Sequence, residues 1–327
     1  MSRILVVGGG GYIGSHMVKM LVRAGYEVTT LDSFCTGYRD AVIAGRVAEG
    51  DLADATFLDR TFGAGRFDGV MHFASFIQVG ESVREPAKYY RNNVANTINL
   101  LDAMVAHEVK AFIFSSTAAV FGEPQYVPID EAHPKNPINP YGASKLMVER
   151  MLADYDAAYG LRSVALRYFN AAGADPDGEL GERHEPETHL IPLVLQAASG
   201  RRESIHVFGT DYDTPDGTCV RDYIHIQDLC AAHLAALDRL TRGGGSAAFN
   251  LGNGTGFSVK EVIAAAERVT RRIIPVEYGL RRAGDPARLV ADSNAARAAL
   301  GWTAVYPDLD SIVAHAWRWE ETGGWQR

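Results

Sequence analysis

The first half of the chain alternates short apolar runs with longer stretches in which apolar residues recur every three or four positions. Residues 4–7, 27–31, 46–49, 70–73, 111–115 and 163–167 read as strands, and segments such as 12–24 and 53–61 between them read as helices. Strands that are apolar almost throughout have no face to show to water. Joined by helical crossovers, they predict a parallel sheet covered on both sides. Gly25 suits the end of the first helix, where a left-handed residue closes the last turn.

After about Asn170 the rhythm breaks. A charged stretch with Gly and Pro runs over 175–187, followed by an expected helix at 193–199, strands at 205–208 and 220–225, and helices at 228–240 and 258–271. The expected architecture is α/β: a Rossmann doubly wound parallel sheet over 1–169, with returning elements near 220–252, and a smaller interleaved α/β substrate lobe over 170–327. Gly252, Gly254 and Gly256 look like a second phosphate loop. Ser258 and Glu261 after them form a capping box, however, so a plain strand-to-helix turn is the stronger reading.

Composition narrows the function without fixing it. The 327 residues carry a net charge of -8, which argues against nucleic acid or an anionic membrane as the main partner, though not against a local basic pocket. No run approaches the ~20 apolar residues that span a bilayer. The apolar run after Met1-Ser2-Arg3 is too short for a signal-peptide core, so a cytoplasmic chain is expected. Cys35, Cys219 and Cys230 are scattered with no CxxC, the pattern of reduced thiols.

Gly8, Gly11 and Gly14 follow the first strand at GxxGxxG spacing and open the first helix. Such a turn must be tight, must let backbone approach a pyrophosphate, and must let helix lie close to strand. A side chain obstructs each of these. The helix start then offers unpaired N–H groups to the anion. Asp32 ends the second strand, where a carboxylate accepts both ribose hydroxyls and repels a 2′-phosphate. NAD is therefore the expected cofactor. The glycines alone would suit any α/β turn; strand, glycines, helix and acid in order make the dinucleotide reading the stronger one.

Tyr141 and Lys145 stand four residues apart, on one face if helical. A phenol with a pKa near ~10 is a poor base at neutral pH, and a nearby cation favours its phenolate. Ser115-Ser116-Thr117 ends the fifth strand, and strand ends line the ligand crevice of an open parallel sheet. A hydroxyl there orients a substrate alcohol toward the tyrosine. Together these describe alcohol–ketone hydride chemistry.

These residues resemble the extended short-chain dehydrogenase/reductase superfamily, and within it the UDP-glucose 4-epimerase (UDP-galactose 4-epimerase) family, over essentially the whole chain. The similarity is carried by residues 8–16 (GGGGYIGSH), 73–82 (FASFIQVGES), 112–122 (FIFSSTAAVFG), 140–149 (PYGASKLMVE), 167–170 (RYFN), 208–223 (FGTDYDTPDGTCVRDY) and 282–285 (RAGD). The resemblance implies an NAD site lined by Gly8, Gly11, Tyr12, Ile13, Gly14, Asp32, Ser33, Phe34, Cys35, Thr36 and Gly37. Asp51 and Leu52 would flank the adenine, with Phe73, Ala74, Ser75, Asn92, Ser115, Thr117, Tyr141, Lys145, Tyr168 and Phe169 completing the site. For the UDP-sugar it implies Asn170, His189, Leu190 and His206, with Phe208 against uracil, and Tyr223 and Asp285 by the ribose. Arg221 and Arg282 would clamp the diphosphate, and Leu289 would border the sugar pocket.

Three positions depart from the family pattern. Ile77 replaces a lysine of well-known members, which puts one polar cofactor contact in doubt, and His189 replaces an asparagine of the substrate loop. Leu289 stands where some members carry a tyrosine, leaving room for an N-acetyl group and hence for UDP-GlcNAc or UDP-GalNAc.

The family's chemistry is C4 epimerisation through a transient 4-ketose, which demands a firm grip on UDP and a loose one on the hexose. A nucleotide-sugar 4,6-dehydratase needs acid/base groups just after the strand-end Thr, where this chain has Ala118 and Ala119. A UDP-glucuronate decarboxylase usually carries an acid there too. Both stand behind the epimerase reading. A non-catalytic NAD-sensing regulator would have no use for Thr117, Tyr141 and Lys145 together.

Glu182, His184, Glu185, Glu187 and His189 are crowded but lack a recognised ligand spacing, so a solvated or substrate-closing loop is expected and no metal. The segments 88–106 and 141–159 carry more apolar residues than one packing face requires, Met147, Val148, Met151, Leu152 and Tyr155 among them. A homodimer through these helices is expected.

Overall fold

The computed structural model describes residues 1–282 and 285–326. Seven parallel strands form the main sheet: β1 (Arg3–Val7), β2 (Glu27–Asp32), β3 (Arg46–Glu49), β4 (Gly69–His72), β5 (Ala111–Thr117), β6 (Arg162–Tyr168) and β7 (Ala247–Leu251). Their order is β7-β6-β5-β4-β1-β2-β3. The central strands alternate between two cores. Ile4 and Val6 face a cluster with Met17 and Leu21 of the first helix (Tyr12–Arg23) and Leu229 of the helix Ile226–Thr241. Leu5 and Val7 face Leu58, Phe62, Leu101, Val148 and Leu152. Burial on both faces accounts for the unbroken apolar runs. Sheet order reverses between β1 and β4, which opens a crevice at the strand C-termini.

A third core holds the lobe together. The helices Leu190–Ser199, Val259–Thr270 and Leu309–Glu321 meet around Val194, Val262, Ile312, Val313 and Trp317. Strand Ile205–Phe208 runs parallel to Val276–Gly279 beside them. The capping box at Ser258 and Glu261 is formed, so the glycines before it make a strand-to-helix turn.

Two expected elements differ. The helix expected over 88–106 starts earlier and is interrupted: Pro86–Tyr89 passes through a π turn at Tyr90–Ala95 into Asn96–Ala106. The strand expected over 220–225 is split into Val220–Arg221 and Tyr223–His225. Asp222 causes the split. Its fully buried carboxylate accepts the N–H groups of Asn253 at 2.6 Å and of Gly254 and Ala291 at 3.0 Å, so the strand halves pair with different partners.

Candidate active site

The turn after β1 is shaped by missing side chains. Gly8 has φ +85, and a Cβ there would lie 2.5 Å from the Ala74 nitrogen; at Gly14 it would lie 2.1 Å from the Gly8 oxygen. Gly11 begins the first helix with no capping side chain, and its first turn holds no acid. The turn therefore offers bare backbone N–H groups to an anion. Asp32 is 9% exposed, and its two oxygens accept the N–H groups of Gly10 and Phe34, each at 2.8 Å. Each oxygen keeps a second lone pair for a ribose hydroxyl. Gly37 lies against Gly10, which folds the segment Ser33, Phe34, Cys35, Thr36, Gly37 back over the glycine turn. The cradle fits a dinucleotide.

Other expected cofactor residues ring this turn. The N–H groups of Phe73 and Ala74 both donate to the Val7 carbonyl, at 2.8 and 3.1 Å, so the exit of β4 sits beside the glycines. Leu52 is buried, with Asp51 exposed next to it. Ile13 packs into the core, and the Tyr12 hydroxyl donates to the Gly173 carbonyl at 2.7 Å, so both side chains turn away from the anion. Asn92 donates to Asn93 at 3.0 Å. Asn93, which sequence reasoning missed, ties the Phe76 backbone to Ser144 on the catalytic helix.

That helix, Pro140–Tyr159, is capped by the Asn139 side chain on the Gly142 N–H and ends at left-handed Gly160, φ 65. One stripe of it carries Tyr141, Lys145 and Glu149. The Lys145 ammonium, buried at 2% exposure, donates to Ser75 Oγ at 2.7 Å and to the Ser115 carbonyl at 2.8 Å. Burial lowers its pKa to about 7, against the opposing pull of Glu149. Glu149, also missed, accepts from Ser116 at 2.5 Å and takes both arms of Arg167, at 2.8 and 2.6 Å. The Ser115 hydroxyl pairs with the hydroxyl of Tyr168. Thr117 ends β5, its hydroxyl accepts the Ala119 N–H at 3.1 Å, and it lies near enough to Tyr141 to draw the phenol's pKa down.

One electrostatic expectation is corrected. Burial raises the pKa of Tyr141, and Thr117 offsets only part of this. Lys145 sits 6.0 Å from the ring centroid, too far to overcome desolvation. Without further positive charge the phenol stays protonated.

The lobe brings most of the expected substrate residues to one side. Arg282 lies over the Phe208 ring at 4.4 Å, and His206 lies beside that ring at 5.5 Å. Asp285 is 3.6 Å from Arg221 and 3.8 Å from Arg282, and Arg221 also donates to the Val220 and Pro286 carbonyls. Asn170 donates to the Asp222 carbonyl at 2.8 Å, and Leu289 accepts the Asp222 N–H at 3.0 Å. Leu289 and Phe169 pack on the same small cluster as Ala118 and Val120.

Tyr223, expected beside the ribose, packs on the lobe core at 5% exposure. His189, just before Leu190 opens its helix, turns to Glu182 and Glu187 at 2.9 and 3.0 Å. The loop, expected to be solvated or substrate-closing, exposes Glu185, Pro186 and Thr188 but turns the Glu182 and Glu187 side chains inward, at 6% and 7% exposed. Arg183, a third missed residue, grips Asp40 at 2.6 and 3.1 Å and stacks on Tyr38 at 3.5 Å, beside Gly10 and Gly11.

Glycine cradle, strand-end Thr and Tyr/Lys helix define a dinucleotide-dependent enzyme that works on an alcohol. Residues 4–252 match the NAD dependent epimerase/dehydratase family, and the chain belongs to it; NAD is its cofactor. A UDP-glucose 4-epimerase of Halalkalibacterium halodurans is 52% identical over 97% of this chain and 95% of its own length. The crystal structure of the Brucella ovis UDP-glucose 4-epimerase with NAD superposes with a TM-score of 0.95 at 51% identity, covering 97% of this chain and 98% of that one. The Campylobacter jejuni UDP-Glc/GlcNAc 4-epimerase superposes at 0.87 with 44% identity, over 98% and 100%.

Proposed function

We propose that this chain is a UDP-glucose 4-epimerase that interconverts UDP-galactose and UDP-glucose. The observation that supports the reading is Thr117 at the end of β5, beside the helix that carries Tyr141 and Lys145, followed by Ala118 and Ala119. The site holds the groups for oxidation at one carbon and none, at those two positions, for expelling a neighbouring hydroxyl.

Thr117 orients the sugar 4-hydroxyl, and Tyr141, as phenolate, accepts its proton. Lys145, fixed by Ser75 and the Ser115 carbonyl, holds the ribose beside the nicotinamide. When bound in its oxidised form, NAD would supply positive charge that offsets burial of the phenolate and a reversible hydride acceptor for C4. Arg221 and Arg282 grip the diphosphate, Phe208 the uracil and Asp285 the ribose, while the hexose stays free to present its other face. Tyr141 then returns the proton. The test is incubation with UDP-galactose, which yields UDP-glucose with no net NADH; release of water and a 4-keto-6-deoxy product would contradict it.

Leu289, which packs on the same small cluster as Phe169, favours a wider sugar pocket, as the similarity to a UDP-Glc/GlcNAc 4-epimerase suggests. UDP-GlcNAc and UDP-GalNAc are proposed as second substrates. Residues 1–169 with the returning strand at 247–251 serve as the NAD domain and the rest as the substrate lobe. Among the described residues no helix is long and apolar enough to cross a membrane. A cytoplasmic homodimer is the assembly proposed, joined through the helices 96–106 and 140–159, where Ile98 and Met147 stand 38% and 45% exposed.

A further inference from the structure

The loop between β6 and the helix Leu190–Ser199 gathers four side chains that no step of the epimerase reaction uses. Glu182, His184, Glu187 and His189 place one ligating atom each within 4.8 Å of all the others. Both imidazoles turn Nδ1 inward, and both carboxylates face them. The four N···O separations are 2.9, 3.0, 3.2 and 3.6 Å. A tetrahedral ion with bonds of ~2.0–2.2 Å has ligand–ligand edges of roughly 3.3 Å, so the cage already has the size of a zinc site. His184 Nδ1 is buried and makes no hydrogen bond of normal geometry, although a Glu182 oxygen lies 3.2 Å away. Its contacts with Glu182 and Glu187, at 3.2 and 3.6 Å, are ion-pair separations without good hydrogen-bond geometry, and a shared ion would replace them with coordinate bonds. A cavity of about 340 Å³ is lined by Glu182, His184 and Glu187 and gives an ion its way in.

We propose that these four residues bind one divalent transition-metal ion of the zinc type. Two carboxylates balance the dipositive charge, and two neutral imidazoles complete a mixed N/O set of borderline softness, giving up their protons as the ion enters. Four protein ligands leave no open position, so the ion is structural and acts as a staple.

What it staples matters to the cofactor. His184 meets Tyr12 of the first helix edge-on, 6.4 Å between centroids, and Arg183 reaches across to Asp40 and Tyr38 beside the glycine turn. A fixed loop holds that bridge over the NAD site, and bound metal therefore slows NAD loss.

The test uses the full-length, tag-free chain, loaded with Zn²⁺ and freed of excess by gel filtration. Elemental analysis is expected to give one zinc per chain, and the melting temperature to rise on loading and fall with EDTA. His184→Ala and Glu187→Gln are each expected to lose the bound zinc and the shift. Zinc well below one per chain in wild type, or retained in full by both variants, overturns the proposal. Should the variants fail to fold, Co²⁺ in the wild type decides: intense tetrahedral visible bands support the site, and the weak spectrum of an octahedral aquo-ion overturns it. None of these readouts depends on turnover, so the outcome stands apart from the epimerase reading.

Discussion

Among the described residues Lys145 meets two uncharged oxygens at hydrogen-bonding distance, Ser75 Oγ and the Ser115 carbonyl, and burial draws its pKa from 10.5 to about 7. In the NAD-free chain the unfolded state therefore binds more protons than the folded one between about 7 and 10.5. Stability contributed at this position rises with pH across that window and is lost as pH falls toward 7. Compared with Lys145→Met by chemical denaturation, the wild type gains as pH rises from 7 to 10; a pH-independent difference would refute the assignment. Leu289 is the second residue that decides something. Leu289→Tyr, which puts a larger side chain on the cluster that Phe169 also packs on, is expected to lower kcat/KM for UDP-GlcNAc roughly 10- to 200-fold while sparing UDP-glucose. Equal losses on both substrates would count against it. Tyr141, Lys145 and Thr117 were legible in the sequence because their spacing carries the chemistry. Glu149, Asn93 and Arg183 were not, since each acts on a partner remote in the chain, and nothing local marks an acid or an amide as buried.

At the scale of elements, the catalytic helix is fixed to the sheet by a buried pair. Arg167 on β6 and Glu149 have side chains 5% and 10% exposed and share two hydrogen bonds. Glu149→Gln leaves the guanidinium without its counter-charge and should cost about 3 kcal/mol, read as a lower urea midpoint at unchanged slope. A loss within error would show that the pair is not what anchors the helix. The sheet was legible because strands buried on both faces and helices buried on one write their periods plainly. The split at Asp222 was not, because its cause is three backbone donors from distant segments. The gathering of 182–189 was not legible for the same reason: spacing along the chain was irregular, yet the fold brings Glu182, His184, Glu187 and His189 together with both carboxylates buried.

For the whole molecule, the proposed division gives the chemistry to the sheet and the nucleotide to the lobe. Strand-end hydroxyls, the Tyr/Lys helix and the glycine turn converge where strand order reverses, while Arg221, Arg282 and Phe208 approach from the lobe. The partly exposed Ile98 and Met147 on neighbouring helices argue for a second copy covering them. Light scattering at micromolar concentration is expected to give twice the chain mass, and Met147→Glu to lower it; a monomeric wild type would remove the dimer. The account as a whole rests on the buried phenol of Tyr141 as the group that moves the proton. Its most direct test is the rate of UDP-glucose formation from UDP-galactose by Tyr141→Phe, with NAD content checked by absorbance. The account predicts a fold and NAD content like the wild type's and a rate down by about 10²–10⁴; a phenylalanine variant that turns over at the wild-type rate would contradict it.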